Sequence, residues 1–366
     1  MEIKDPKNFY FPELDGLRFF AFLLVFFHHH TLLSNIPYFS VIHAYGWIGV
    51  DLFFILSAFL LSKLLRAEYN LSGSISYKSF YYRRILRICP LYYMYITFSA
   101  LLFFFLPNPL QDDTIIRYAG LFTLSDNMLT AGLGYNPIPF TGHLWTIAYE
   151  EQFYLLLPVL VAFLMQRTSH QTWITRAAVV IILNGIRCTM VYFNVKHPAI
   201  WVLPVTHFES MLIGIVIGFG KLDFLLKRIP SFLLGIFGLF FFGLVWLLPP
   251  ISQNSFLLSF SYTFIGIFSA FVLLSVLKNG ILKKILSYKV FVFLGKRSYG
   301  LYIFHLVSNG IVAYLVKYFP VLKNDLFSFV ASLAVCIIFS VISYRFVEMP
   351  FLKIKRRYEV VHSRPV

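Results

Sequence analysis

The sequence predicts an all-α, polytopic integral membrane protein of about ten transmembrane helices with both termini cytoplasmic. Three observations carry that expectation. The 366 residues are 59% hydrophobic and 13% charged, with 43 Phe and 23 Tyr, far from the balance of a soluble domain. Apolar runs of roughly 20 residues, the length that crosses hydrocarbon as a helix, recur from Leu17 to Tyr344. Basic residues gather at the ends of those runs on one side: with the N-terminus inside, only Arg117, Arg187, Lys196, Lys317 and Lys323 of 31 Lys and Arg fall outside.

The expected spans cover 17–33, 46–65, 89–106, 146–165, 176–193, 207–220, 231–248, 256–277, 293–315 and 326–345. The first follows a polar leader with no small-residue cleavage site after it, so it is read as a retained span. The run 207–220 is short and carries Gly214, Gly218 and Gly220, which suits a broken or tilted element. A cytoplasmic linker, 67–88, ends in the basic amphipathic stretch Tyr81, Tyr82, Arg83, Arg84, Ile85, Leu86, Arg87, suited to the membrane surface. The outside loop 107–143 is rich in Pro, Gly and Asn, so no long helix is expected there, and its size suits a lid or acceptor platform. Residues 1–350 read as one transmembrane domain and 351–366 as a short basic cytoplasmic tail. Cys89, Cys188 and Cys336 have no paired spacing, so neither a disulfide framework nor a metal site is expected. The net charge of +15 answers to anionic lipid rather than to nucleic acid.

Charge retained inside a bilayer costs roughly 2.5 to 3.5 kcal/mol per Arg, Lys or Asp at a helix centre, so each such residue asks for a reason. Arg18 and His29 stand eleven residues apart, within roughly 20° on one helix face and about 16 Å along the axis. His28 and His30 diverge from that face, which makes the triple histidine a poor metal site. Arg18 paired with Asp15 near inner headgroups is the bland alternative. Asp51 opens the second span on the side of His29, where a carboxylate can orient an imidazole; a helix N-terminus also stabilises such an acid. Glu150 and Glu151 enter a span about 100° apart, so at least one faces protein or a wet cavity. His305 is a further intramembrane imidazole, and Glu348 beside Arg345 reads as a local ion pair.

These residues occur in a recognisable order. Leu14, Asp15, Gly16, Leu17, Arg18 precede His29; Gly49, Val50, Asp51, Leu52, Phe53, Phe54 precede Ser57; Arg83, Arg84, Ile85, Leu86, Arg87 precede Pro90. Leu144 and Trp145 lead to Glu150, Glu151, Gln152, Phe153, Tyr154; Ser298, Tyr299, Gly300 lead to His305; Glu348 precedes Pro350. In this the chain resembles the membrane acyltransferase 3 family, which includes O-acetyltransferases of surface polysaccharides, lipopolysaccharide and peptidoglycan. It departs from the family pattern at Ala58, often glycine, and at Ala148 and Tyr149, usually Ser and Val.

The resemblance implies an O-acyltransferase, most simply an O-acetyltransferase, in a bacterial inner (cytoplasmic) membrane. Its donor substrate would be cytoplasmic acetyl-CoA or another acyl-CoA, and its acceptor a hydroxyl of a surface glycan such as lipopolysaccharide O-antigen or exopolysaccharide. No metal is expected. Arg83, Arg84 and Arg87 would hold the CoA phosphates, or equally anionic lipid. His29 would act as general base or acyl carrier, oriented by Asp51, Glu150 or Glu151, with Arg18 on the donor's path and His305 as a second candidate. Some members carry a secreted esterase-like domain that this sequence lacks, so transfer is direct or passes to a separate extracytoplasmic relay protein. A proton-coupled transporter or flippase of a glycan or small solute is the competing class, since such ions also line substrate paths, although no repeated half is present.

Overall fold

Proline in the first turn and the acids Glu13 and Asp15 start helix α1 (Pro12–His29), where a fixed φ and negative charge both favour an N-terminus. The computed structural model describes residues 9–30, 37–105, 112–167, 169–249, 252–253 and 255–361, and among them every regular element is helical. After α1 come α2 (Pro37–Tyr45), α3 (Gly49–Ser72), α4 (Tyr77–Phe105), α5 (Thr114–Phe122), α6 (Asp126–Leu133), α7 (Trp145–Met165), α8 (Ser169–Tyr192) and α9 (Ala199–Val202). The second half holds α10 (Glu209–Gly218), α11 (Asp223–Arg228), α12 (Ser231–Trp246), α13 (Leu258–Leu277), α14 (Ile281–Leu286), α15 (Lys289–Gly295), α16 (Ser298–Leu315), α17 (Asp325–Ser343) and α18 (Met349–Lys355).

Among the described residues, five helical stretches are long and apolar enough to cross a membrane: Phe39–Ser72, Tyr77–Phe103, Trp145–Met165, Leu258–Leu277 and Asp325–Tyr358. At 1.5 Å per residue, even the 20 residues of Leu258–Leu277 reach about 30 Å. Ala178–Tyr192, Glu209–Gly218 and Ser231–Trp246 are apolar but shorter. Leu155, Leu156 and Val159 of α7 and Leu239 and Phe240 of α12 present exposed apolar surface, as a lipid-facing wall requires.

Helix α1 lies at the centre, packed by α3, α14, α15 and α16, while α10 lies along α3. Glycines set these close approaches. A Cβ on Gly295 would stand 1.7 Å from the Asp15 carbonyl oxygen, and one on Gly218 would stand 2.1 Å from Ser62 Oγ. Gly214, four residues before Gly218, meets the Ala58 methyl in the same way, so the family departure at Ala58 is absorbed against a glycine.

Several expected boundaries are corrected. The linker 67–88 is four residues long: α3 runs to Ser72, Gly73 turns the chain at φ 73°, and α4 begins at Tyr77. The basic stretch Tyr81 to Arg87 is therefore the opening of one continuous helix, long and apolar enough to cross a membrane, rather than a separate surface helix. The expected span 293–315 is interrupted at Lys296 and Arg297, between α15 and α16. In the loop 107–143, where no long helix is expected, the described residues 112–143 hold the short helices α5 and α6, stapled by Arg117, which bonds Asp113 at 2.8 Å and the carbonyls of Leu133 and Gly134. A π-helical turn, Tyr344–Glu348, carries α17 into α18.

Candidate active site

A cavity of about 200 Å³ opens between α1, α3, α4, α7, α16 and α18. Its walls carry Arg18, Arg84, Arg87 and Lys355 with Asp15 and Glu150, and Thr146 and Tyr302 belong to the same lining. Arg18 pairs with Asp15 at 3.0 Å, as the local reading allowed. Glu150 accepts a hydrogen bond from Tyr154, also in the wall. Glu151 is not part of the lining, and its Oε1 is buried without a hydrogen-bond partner.

The three arginines of α4 separate. Arg83 is fixed by Glu68 at 3.1 Å and by the Tyr358 carbonyl at 2.6 Å, and it lies outside the main cavity. Arg87 meets Glu348 at 3.0 Å; that carboxylate, read from sequence as the partner of Arg345, reaches across to α4 from the π-helical turn. Arg84 lies over the Tyr154 ring at 5.6 Å, and its buried Nε has no hydrogen-bond partner.

Tyr302 joins the cavity to a cluster of imidazoles. Its hydroxyl lies 2.7 Å from Thr146 Oγ1, and both hydroxyls reach the His143 carbonyl, at 3.2 and 3.0 Å. The Tyr302 carbonyl accepts from His305 Nδ1 at 2.6 Å, and His305 Nε2 lies 3.3 Å from His29 Nδ1. His29 Nδ1 also faces the Val25 carbonyl at 3.0 Å. Carbonyls only accept, so both Nδ1 atoms carry protons; His305 Nε2 is then an acceptor, and the remaining lone pair of His29 is on Nε2. His143 stacks edge-on to His305 at 4.6 Å, and neither of its ring nitrogens has a hydrogen-bond partner.

Asp51 is not in this cluster. The expected orientation of His29 by Asp51 is replaced by a contact with His207 Nε2 at 2.9 Å and Ser210 Oγ at 2.5 Å. His207 Nδ1 faces the Trp201 carbonyl at 3.1 Å, and the ring stacks on Trp201 at 4.2 Å. Tyr149 donates to the His207 carbonyl and stacks on Phe54 at 4.7 Å, which gives this departure from the family pattern a structural place. Arg187, expected on the outer side, is fully buried against Glu209 at 2.5 Å and bonds the Thr206 carbonyl at 2.7 Å. Among the described residues no group of His, Cys, Asp or Glu is placed to hold a metal ion.

A family model described as an acyltransferase domain matches residues 11–345. The chain belongs to the acyltransferase 3 family. It is similar to a protein of Staphylococcus aureus strain COL named "Putative O-acetyltransferase SACOL0978", 29% identical over 374 residues, which cover 96% of this chain and 58% of that protein. It is also similar to O-acetyltransferase OatA of S. aureus strain NCTC 8325 / PS 47, 28% identical over 376 residues, covering 96% of this chain and 60% of OatA. The chain thus spans about three fifths of the length of these relatives. No solved structure matches.

The sequence pattern does not single out His143, His207, Tyr302 or Lys355 as site residues. His143 stood in the motif that holds Glu150, two residues before Trp145, and that position was the available signal. His207 had none, because its carboxylate partner lies 156 positions away.

Proposed function

We propose that the chain is a membrane O-acetyltransferase that moves an acetyl group from cytoplasmic acetyl-CoA to a hydroxyl of a cell-surface glycan, of the class of lipopolysaccharide O-antigen or exopolysaccharide. It works in a bacterial cytoplasmic membrane, with about ten spans and both ends inside. The family, and the O-acetyltransferase names of the relatives, support the reaction class. The observation that carries the reading is the hydrogen-bonded chain from the Tyr302 carbonyl through His305 to His29, set beyond a cavity walled by Arg18, Arg84 and Arg87.

Each part has a task. Arg84 and Arg87 hold phosphate oxygens of the donor by charge-assisted bonds, and Arg18 lies further along its path. Arg83, which lies outside the main cavity and bonds Glu68 and Tyr358, is given no part in that role. The thioester reaches the Thr146 and Tyr302 end. His29 Nε2 takes the proton of the acceptor hydroxyl as its oxygen attacks the carbonyl carbon. A C–O bond forms, the C–S bond breaks, and the imidazolium returns its proton to the departing thiolate, giving free CoA. His305 acts as the positioning residue for His29, the part once expected of Asp51. Glu150 lines the donor path rather than the base.

Purified chain in proteoliposomes, given radiolabelled acetyl-CoA and crude envelope glycan, tests this. Label should pass to glycan, and a His29→Ala variant that remains folded should not transfer it. Movement of an unmodified solute with no labelled product would replace the enzyme by a transporter. Label that needs a second envelope protein would make the transfer relayed.

A further inference from the structure

The family match ends at residue 345, but the described chain continues through α18 and a single 3₁₀ turn, Arg356–Tyr358. From sequence this stretch reads as a basic tail; in the fold it is docked. Arg83 donates to the Tyr358 carbonyl at 2.6 Å, the Tyr82 and Tyr358 rings stack at 5.1 Å, and Leu352 and Val361 are buried. Docking brings Lys355 into the wall of the main cavity, its side chain 10% exposed, with Nζ 3.1 Å from Glu359.

Lys355 therefore joins Arg18, Arg84 and Arg87 around one space. Asp15, Glu348 and Glu359 each stand by one of these cations, Glu150 shares the wall with Arg84, and Arg84 rests against aromatic faces with a buried, unpartnered Nε. Four cations that converge on one shielded space can exchange their carboxylate neighbours for the oxygens of a multiply charged anion, which offsets their desolvation. Guanidinium forks grip phosphate bidentately, and a lysine ammonium on its flexible stem adds a point charge that can leave a carboxylate for a phosphate oxygen.

We propose that the segment 349–361 is a wall of the donor site and that Lys355 binds a phosphate of the polyanionic thioester carrier, with Glu359 holding the ammonium until the phosphate displaces it. The identity of the ligand rests on the acetyl-CoA reading above. The site itself rests on the cavity and its cations.

The test uses the full chain in nanodiscs and titrates two probes, CoA and pantetheine, which has the same thiol arm without phosphates. Lys355→Gln should weaken CoA binding about tenfold, the scale of one lost charge-assisted bond, and raise the KM for acetyl-CoA in step. Lys355→Arg should restore most of the affinity, and pantetheine should bind both variants as it binds the wild type. Unchanged CoA affinity in Lys355→Gln overturns the proposal. So does an equal loss for pantetheine, which would mean that the wall has collapsed. If the difference between Lys355→Gln and wild type appears only in discs containing phosphatidylglycerol, the ligand is a lipid headgroup and the donor assignment falls. A wild type that binds CoA through Lys355 but transfers no acetyl would sink the acyltransferase reading alone. One that transfers acetyl while indifferent to Lys355→Gln would sink this inference alone.

Discussion

His29 and His305 touch, yet their replacement should have unequal consequences. His29→Ala removes the lone pair that the hydrogen bonding leaves on Nε2, and with it the proposed general base, a loss of about 10²–10⁴ in rate or roughly 3–5 kcal/mol of barrier. His305→Ala leaves the 3.0 Å bond from His29 Nδ1 to the Val25 carbonyl, so the tautomer survives and the 3.3 Å contact is lost. A neutral hydrogen bond of about 0.5–1.5 kcal/mol corresponds to a fall of roughly 2- to 13-fold. Because His305 acts through His29, the double variant should be no worse than His29→Ala. The assay is transfer of label from acetyl-CoA to envelope glycan, with unfolding temperature as the check on folding. His29→Ala within tenfold of wild type, or a double variant whose loss is the product of the two single losses, would refute the assignment.

Among the α4 arginines, Arg84→Gln should weaken CoA binding about tenfold, whereas Arg83→Gln should lower thermal stability and leave CoA affinity alone, because Arg83 is already bound to Glu68 and Tyr358; equal effects in titration would contradict the geometry. Arg187→Met strands Glu209 in a site where the side chains are 0% and 1% exposed, and should cost about 3–5 kcal/mol in unfolding measurements, with much of it recovered by adding Glu209→Met; a single variant as stable as wild type would show the pair to be dispensable. In the segment 112–143, burial pushes the Asp126 carboxyl up to about 6 from an ordinary 3.8, against an Asn136 hydrogen bond and the Arg117 charge. Folding therefore takes up a proton between those values: the contribution of Asp126 to the loop is most favourable below about pH 4 and falls by about 3 kcal/mol as pH rises past 6, at 1.36 kcal/mol per unit. Asp126→Asn should flatten that slope in hydrogen exchange of residues 112–143, and an unaltered slope would remove Asp126 as its source.

The helices were legible because lipid-facing and core-facing apolar residues both read as continuous hydrophobic runs, so α7, α12 and α13 lie within a few residues of expectation. What composition could not supply was the partner of each ion. Arg83, Arg84 and Arg87 look alike on a surface helix, and only Glu68, Tyr358 and Glu348, brought in from other elements, sort one structural guanidinium from two in the cavity. The face shared by Arg18 and His29 was readable from helical spacing, and it does place Arg18 in the cavity wall and His29 beside His305. Asp51 was misassigned because proximity to His29 along the membrane normal says nothing of rotation about the axis of α3, which aims the carboxylate at α10 and His207.

The two histidine networks differ in a way that bears on which can do chemistry. His207 has both ring nitrogens engaged, by the Trp201 carbonyl and Asp51, and is enclosed by Trp201, Phe54 and Tyr262. A ring with both nitrogens bound has no lone pair for a substrate, so this network suits holding α3, α9 and α10 together. The His29 network ends on an imidazole with one nitrogen still available, beside His143 with neither nitrogen bound. The proposed base therefore belongs to the His29 network, whose imidazole keeps a nitrogen for a hydroxyl, rather than to the His207 network, whose ring has none to spare. On this logic, a substrate analogue bound at the Tyr302 end should shift the His29 and His143 ring resonances and leave those of His207 in place; movement of His207 instead would transfer the chemistry to the Asp51 network.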